Sequence, residues 1–412
     1  MTEQPPLVLD PAGSDHHAEH RALHARGPAT RVDVLGVTAW AVSDPALLRH
    51  LLTSPDVSKD PARHWPAFAE TVPDWPLSLW ITANNMFTAY GPEHRRLRRL
   101  IAPALSARRV EALRPAVESV VTALLDGLSG LPADESVDLR ERFAHPLPAA
   151  VIARLMGVPA DQRDGFRAVL DNAFDTTRTP EQAAQNWAAM YRALDRLIAF
   201  RRVEPGDDMT SLLIAARDEE GDGGGLSDTE LRDTLLLMIS AGSETTVNVI
   251  DQAVTALLTD PGQLALLRTG GAAWSDAVEE ALRYEPAVKH LPLRYAVKDI
   301  PLPDGRTIER GEAILASYAA ANRHPDWHGP TADLFDVTRQ AKDHLAFGYG
   351  VHFCVGAPLA RLQVTTALRL LFDRFPDIRL AVPADALRPL PSLISNGHQT
   401  LPVHLGRRPG PR

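Results

Sequence analysis

The chain has 412 residues, 45% of them apolar and 23% charged, a composition that excludes a disordered or fibrous chain and suits a compact globular protein. Lys plus Arg number 43 against 52 Asp plus Glu, a net charge of −9, so the general basic footprint of a nucleic-acid binder is absent. A single cysteine, Cys354, excludes an internal disulfide and a cysteine-cluster metal site, leaving a buried thiol, a nucleophile or a lone metal ligand.

No apolar run approaches the roughly 18 residues that cross a bilayer, and the opening MTEQPPLVLDPAGSDHH lacks the cationic and apolar blocks of a signal peptide. A cytoplasmic protein with no membrane or nucleic-acid partner is expected, and a monomer. Residues 1–30 read as an irregular segment, in which His16, His17 and His20 resemble a metal cluster only superficially and read as solvated histidines. Arg31 to Val42 alternates as a short β-hairpin, and Asp44-Pro45 then opens a helix through DPALLRHLLTS. Between Trp65 and Tyr90 six aromatic residues fall within 26 positions without regular periodicity. Such rings can wall an apolar pocket or pin a long loop onto the core.

After Gly91-Pro92 the periodicity is helical through EHRRLRRLIAPAL, from Arg109 to Leu128, from Pro148 to Met156 and from Pro180 to Arg202. The glycines of Asp218 to Gly225 lack the Lys-Ser/Thr that a phosphate-binding loop needs. Ser227 and Glu230 form the capping box of a helix running to Asp260-Pro261, about 48 Å of helix at 1.5 Å per residue. Strand-like segments follow Tyr284-Glu285-Pro286, then an irregular stretch from His324 to His344, a last helix from Pro358 to Phe375 and a Pro-rich β tail ending near Gly406. The expectation is one domain spanning 1–412, mainly α with a small β-rich part.

Phe347-Gly348-Tyr349-Gly350-Val351-His352-Phe353-Cys354-Val355-Gly356 frames the only cysteine with glycines just before that last helix. Amides and a helix dipole at such a place favour a thiolate, which is what an axial sulfur ligand of haem iron must be. The ten-residue string resembles the haem-binding loop of the cytochrome P-450 monooxygenases. Ala241-Gly242-Ser243-Glu244-Thr245-Thr246, midway along the long helix, resembles that family's oxygen-activation motif, where Gly242 could loosen the helical ladder. Glu244 and Thr245 would serve proton delivery, and Ser243 stands at a variable, pocket-side position. Glu280-Ala281-Leu282-Arg283 matches the family's Glu-x-x-Arg, with Arg339 as the cooperating third member of a structural ion-pair network. His94, Arg98, Arg294 and His352 resemble the haem-propionate partners, and Phe347, Gly348, Gly356 and Ala241 complete the expected cofactor contacts.

The resemblance runs from Val32 to Val403 and implies a triangular prism of helices around haem b, crossed by the long helix. It implies a monooxygenase of the soluble bacterial type, using O2 and electrons passed from NAD(P)H through ferredoxin reductase and ferredoxin. NMFTAYGPEHRRLRRL and SLISNGHQTLPVHL look like actinomycete members that hydroxylate steroids, macrolides and related apolar compounds. Met86, Phe87, Ala241, Leu291, Leu293, Leu393 and Ile394 are the expected pocket walls. Arg95, Arg96, Arg99, Arg108 and Arg109 make a basic cluster that is either a ferredoxin-docking face or an ordinary solvated one. Two rival readings are a peroxygenase or haem sensor, against which the Glu244-Thr245 pair argues, and a Cys–His hydrolase using Cys354 and His352.

Overall fold

A computed structural model describes residues 5–132, 135–166, 180–217 and 224–406. Most of the Asp218–Gly225 loop therefore lies outside the described residues.

Helices make the larger part, and a mixed sheet forms one side of the molecule. Its strands run in the order Leu7–Val8, Ala29–Val34, Val37–Val42, Ala313–Ala316, Leu291–Ala296 and Val57–Ser58. The expected hairpin pairs Ala29 with Val42 through Val34 with Val37. Its two-residue turn carries positive φ at both Leu35 (55°) and Gly36 (89°), the geometry that matches strand twist. Alternation sends Trp40, Val42, Ile314 and Ala316 to one face, against Leu47, Leu48 and Leu51 of the helix Pro45–Thr53. Val32, Ala39, Ala41, Ala313 and Leu315 face the other way, onto Leu9, Leu23, Trp65 and Trp75. The aromatic segment is thus partly a clamp: Trp65 stacks on Tyr295 with centroids 5.4 Å apart, and Trp75 Nε1 donates to the Val34 carbonyl at 3.0 Å.

The N-terminal segment differs from expectation. Asp15 accepts from the Ala18 amide and starts a helix, His16–Ala25, whose Leu23 is fully buried under the sheet. The side-chain cap, buried His20 and Leu23, and the contacts of Glu19 with His290 and of His24 with the Ala320 carbonyl hold it in place. The helix expected over Arg109–Leu128 is divided at Leu113 into Ala107–Ala112 and Arg114–Ser129, since Pro115 cannot donate to a continuing ladder.

The spine is Asp228–Thr259, 32 residues, with the Ser227/Glu230 capping box formed in both directions. Its second half is buried and tied laterally. Arg140 donates to Asp251 at 3.1 Å and to Asn248 at 2.8 Å, and His398 Nδ1 lies 2.9 Å from Asp251. Gly242 does not loosen the helix, which is continuous. Its missing side chain admits Ile152 of the helix Pro146–Leu155, whose Cδ1 would stand 3.0 Å from a Cβ at 242.

Among the described residues no helix is long and apolar enough to cross a membrane.

Candidate functional site

The cysteine loop is built by short-range geometry. Gly348 (φ 70°) and Gly350 (φ 72°) take conformations that side-chain-bearing residues avoid, and a Cβ on Gly350 would meet the Leu52 carbonyl at 2.6 Å. The Cys354 amide donates to the Phe347 carbonyl at 2.8 Å, closing the loop immediately before the helix Ala357–Arg374. Of the three glycines, only Gly356 adjoins the sulfur: its Cβ position lies 3.8 Å from Sγ. The other two shape turns.

Burial pushes the Cys354 thiol up, and the opposing amides of Gly356 and Ala357 and the guanidinium groups of Arg98 and Arg361 do not overcome it. The helix start thus softens the cost of a thiolate without supplying a free one. A cation at the sulfur is needed to complete the anion.

Beside this loop the structure gathers cationic and imidazole groups. The helix Gly91–Ile101 buries Leu97, Leu100 and Ile101 and so turns His94 and Arg98 inward on one face. Arg98 Nη1 donates to the Phe353 carbonyl at 2.7 Å. His94 and His352 stand 4.0 Å apart by ring centroids. Arg294, on the strand Leu291–Ala296, donates to the Tyr318 hydroxyl at 3.3 Å. Lys59, which sequence reasoning missed, joins them: it is buried, its Nζ lies 3.6 Å from the centroid of Phe87, and it has no hydrogen-bond partner.

These groups depress one another. Burial, then Arg98 and Arg95, hold His94 at about 4. Burial, then His94, Lys59, Arg294 and Arg98, hold His352 far below its ordinary value. Burial, then Arg294, bring Lys59 well down. His94 Nε2 and Arg294 Nη1 are likewise buried without partners. Among the described residues, no carboxylate lies within ion-pair distance of Lys59, His94, Arg98, Arg294 or His352. Unpaired buried charge costs several kcal/mol, so this cluster is arranged for an anion. Haem offers an iron for the sulfur and two carboxylates for the cations, and Cys354 fits the first while the orphaned nitrogens of Lys59, His94 and Arg294 fit the second.

The long helix presents a different face. Ala241 and Glu244 are exposed midway along it, between buried Leu235 and Ile239 on one side and the buried run from Thr246 to Val254 on the other. Thr245 Oγ1 donates to the Ala241 carbonyl at 2.6 Å and Thr246 Oγ1 to that of Gly242 at 2.9 Å. The Ser243 hydroxyl is buried without a partner.

Glu280, Arg283 and Arg339 are brought together, as the family resemblance implied. Arg283 donates to both Glu280 oxygens at 2.8 and 2.9 Å, and Arg339 reaches Glu280 Oε1 at 3.3 Å. The carbonyls of Ala332 and Leu334 accept from Arg283 at 2.7 Å each, and that of Asn322 at 3.5 Å.

The expected pocket walls scatter. Met86 is packed in the helical core, Leu291 lies against the cluster under the helix Pro45–Thr53, and Leu293 and Leu393 sit in the opposite cluster with Leu23 and Trp65. Ile394 is buried and its carbonyl accepts from the Lys289 amide at 2.7 Å. Ala241 and Phe87 keep accessible surface. In the basic cluster, Arg96 is paired with Glu93 at 2.8 Å and with Glu230, and Arg109 with Asp207 at 2.7 Å. Arg95, Arg99 and Arg108 are exposed.

A model described as Cytochrome P450 matches residues 182–269 and 275–381. The chain is 41% identical to 2-hydroxy-5-methyl-1-naphthoate 7-hydroxylase of Streptomyces carzinostaticus, over 98% of each chain. It is 38% identical to 6-deoxyerythronolide B hydroxylase of Saccharopolyspora erythraea, over 98% of this chain and 100% of that one. The solved structure of CYP154A1 from Streptomyces coelicolor A3(2) is 69% identical and superposes with a TM-score of 0.88, over 97% of this chain and 100% of the other.

Proposed function

The chain belongs to the cytochrome P450 family, and on that premise we propose that it is one catalytic unit of 412 residues that binds haem b through Cys354 and hydroxylates an apolar natural product of steroid, macrolide or aromatic polyketide size. The enzyme is a P450 monooxygenase, and relatives are named hydroxylases. The observation that carries the residue assignment is one sulfur donor beside five cationic or imidazole groups that have no counter-charge.

Bound haem supplies dioxygen reduction and the oxidant that places one oxygen atom in a C–H bond. Cys354 would hold the iron, with the Gly356 and Ala357 amides and Arg98 and Arg361 sharing its negative charge. Lys59, His94, Arg98, Arg294 and His352 would hold the propionates, each gaining the anion it lacks. Phe347, Gly348 and Gly356 shape the loop that fixes the sulfur, and Ala241 is small enough to leave room over the cofactor. Thr245 commits its own proton to the Ala241 carbonyl, so its free lone pairs accept a hydrogen bond and hold a water or substrate hydroxyl. Glu244, exposed one residue before, can pass protons from solvent to that position. Glu280, Arg283 and Arg339 support the scaffold and touch no substrate.

Electrons are proposed to come from NAD(P)H by way of ferredoxin reductase and an acidic ferredoxin. Tyr349, Val351 and Phe353 are exposed on the cysteine loop, Arg95 is an exposed cation on the helix that bears Arg98, and Arg108 is one on the helix Ala107–Ala112. An apolar centre rimmed by cations suits such a partner. Neutralising Arg95 and Arg108 together slows ferredoxin-supported turnover most at low salt, while substrate binding is unchanged; equal rates at low salt overturn the docking face.

The deciding experiment is the spectrum of the reduced protein with carbon monoxide. The parent protein gives the far red-shifted Soret band of thiolate ligation, and Cys354→Ser loses it. Retention of the band in that variant removes the assignment. Thr245→Ala keeps the band but releases more hydrogen peroxide and less product per NAD(P)H; wild-type coupling would take the role from Thr245.

A further inference from the structure

The N-terminal helix carries an unassigned cluster. Asp15 fixes the start of the helix, so that His16 and His20, four apart, share one face, with His17 adjoining. That face lies against Glu285, the residue that ends the helix Trp274–Tyr284. His16 Nε2 is 3.0 Å from one Glu285 oxygen and His17 Nε2 is 3.2 Å from the other. The donor atoms of His16, His17 and Glu285 all lie within 4.8 Å of one another, while the nitrogens of His20 lie outside that group and have to swing in to join it.

We propose that His16, His17, His20 and Glu285 form a zinc site that fastens the N-terminal helix to the end of the helix bearing Glu280 and Arg283. Zinc with four ligands at about 2.0–2.1 Å separates donor atoms by about 3.4 Å and imidazole centroids by about 5 Å. The His–Glu contacts at 3.0 and 3.2 Å need to open by only a few tenths of an ångström. The three rings are 4.1, 5.3 and 6.1 Å apart, which brackets the coordinated spacing.

His20 is the second, independent observation. It is 3% exposed, yet neither ring nitrogen has a partner. Its neighbour His290 has a ring centroid 6.4 Å away but is already engaged with Glu19 at 2.7 Å and Ser317 at 3.0 Å, which leaves His20 as the available third nitrogen.

The carboxylate is oriented as a metal ligand should be. Asn396 Nδ2 donates to Glu285 at 2.7 Å and Arg323 at 2.8 Å. The charge of Arg323 is also met by Asp333 at 2.9 Å, and that of buried Lys289 by Glu19 and Asp10 as well as Glu285. Three imidazoles and one carboxylate select zinc over magnesium or calcium. They also fill all four positions, so the site is structural rather than catalytic.

The test is calorimetric titration of chelator-treated holoprotein with ZnCl2, with thermal unfolding followed in parallel. One equivalent binds saturably and raises the melting temperature, and MgCl2 does neither. His17→Ala, at a half-exposed position that tolerates truncation, and His20→Gln each weaken zinc at least tenfold and abolish the thermal shift. His50→Ala, an exposed histidine elsewhere, binds as the parent does. Absence of saturable one-equivalent binding, parent-like affinity in both cluster variants, or loss in His50→Ala overturns the site.

Discussion

The Glu280 network and the Lys59 cluster both bury arginine, yet they treat its charge in opposite ways. At Glu280 every charge has its partner inside the chain: Arg283 and Glu280 are wholly buried, and carboxylate and carbonyl oxygens accept from the guanidinium on all sides. Around Lys59, charged and titratable groups face one another with polar atoms left unpaired. The first arrangement is complete within the chain, and the second is the one proposed to take the propionates. Buried charge is therefore informative about function only after its partners have been counted.

Breaking the finished network has the largest effect. Glu280→Ala leaves Arg283 buried and uncompensated, a loss of about 3–5 kcal/mol. Chemical denaturation of the apoprotein and the haem-loaded protein should show the same loss. A variant with parental stability would mean that Arg283 needs no carboxylate.

The unfinished cluster should respond with opposite signs in the two forms. Lys59→Met removes an unpaired buried ammonium, so the apoprotein gains about 1–3 kcal/mol. The same change deletes one charge-assisted contact, about 1.5 kcal/mol, so haem leaves about tenfold faster to a scavenging apomyoglobin. A variant destabilised in both forms would place Lys59 among ordinary packing residues.

Acid sharpens the contrast further. His94 belongs to the open cluster, and His328 lies beside Arg283 and Arg339. Each is held at about 4 in the fold by burial first and neighbouring cations second, against an ordinary 6.5 in the unfolded chain. Below pH 6.5 the unfolded state binds more protons, so stability falls from pH 6.5 to 4 and is level above that window. His328→Gln should flatten this slope with or without haem, whereas His94→Gln should flatten it only in the apoprotein, because a propionate would raise His94. Equal behaviour of the two variants in both forms would erase the distinction.

Much of the scaffold was legible in local sequence. Ser227 with Glu230, the Asp44-Pro45 start and the alternation of Arg31 to Val42 each specify structure within a few residues, and each is formed. Helix spacing put Glu280 and Arg283 in contact, but that the pair is buried and joined by Arg339 was legible only through the family resemblance. What was hidden depends on distant segments. Lys59 looks like any surface lysine until Phe87 covers it. Arg96 and Arg109 look like free cations until Glu230 and Asp207 arrive from 134 and 98 residues away. The histidines of the first helix read as solvated because nothing nearby announces Glu285, 269 residues on. The nearest signal was His16 and His20 at helical spacing behind a capping Asp15.

Gly242 and Ile152 amount to one steric unit shared by two helices, since a single methyl at 242 would stand 3.0 Å from the isoleucine tip. In evolutionary terms the two positions are not free to drift separately. Alanine at 242 requires the isoleucine tip to give way by a few tenths of an ångström, so the order in which such changes are acquired matters: trimming 152 first leaves a small void, whereas filling 242 first makes the Ile152 side chain shift. The long helix thereby carries a constraint recorded 90 residues upstream, on the helix Pro146–Leu155.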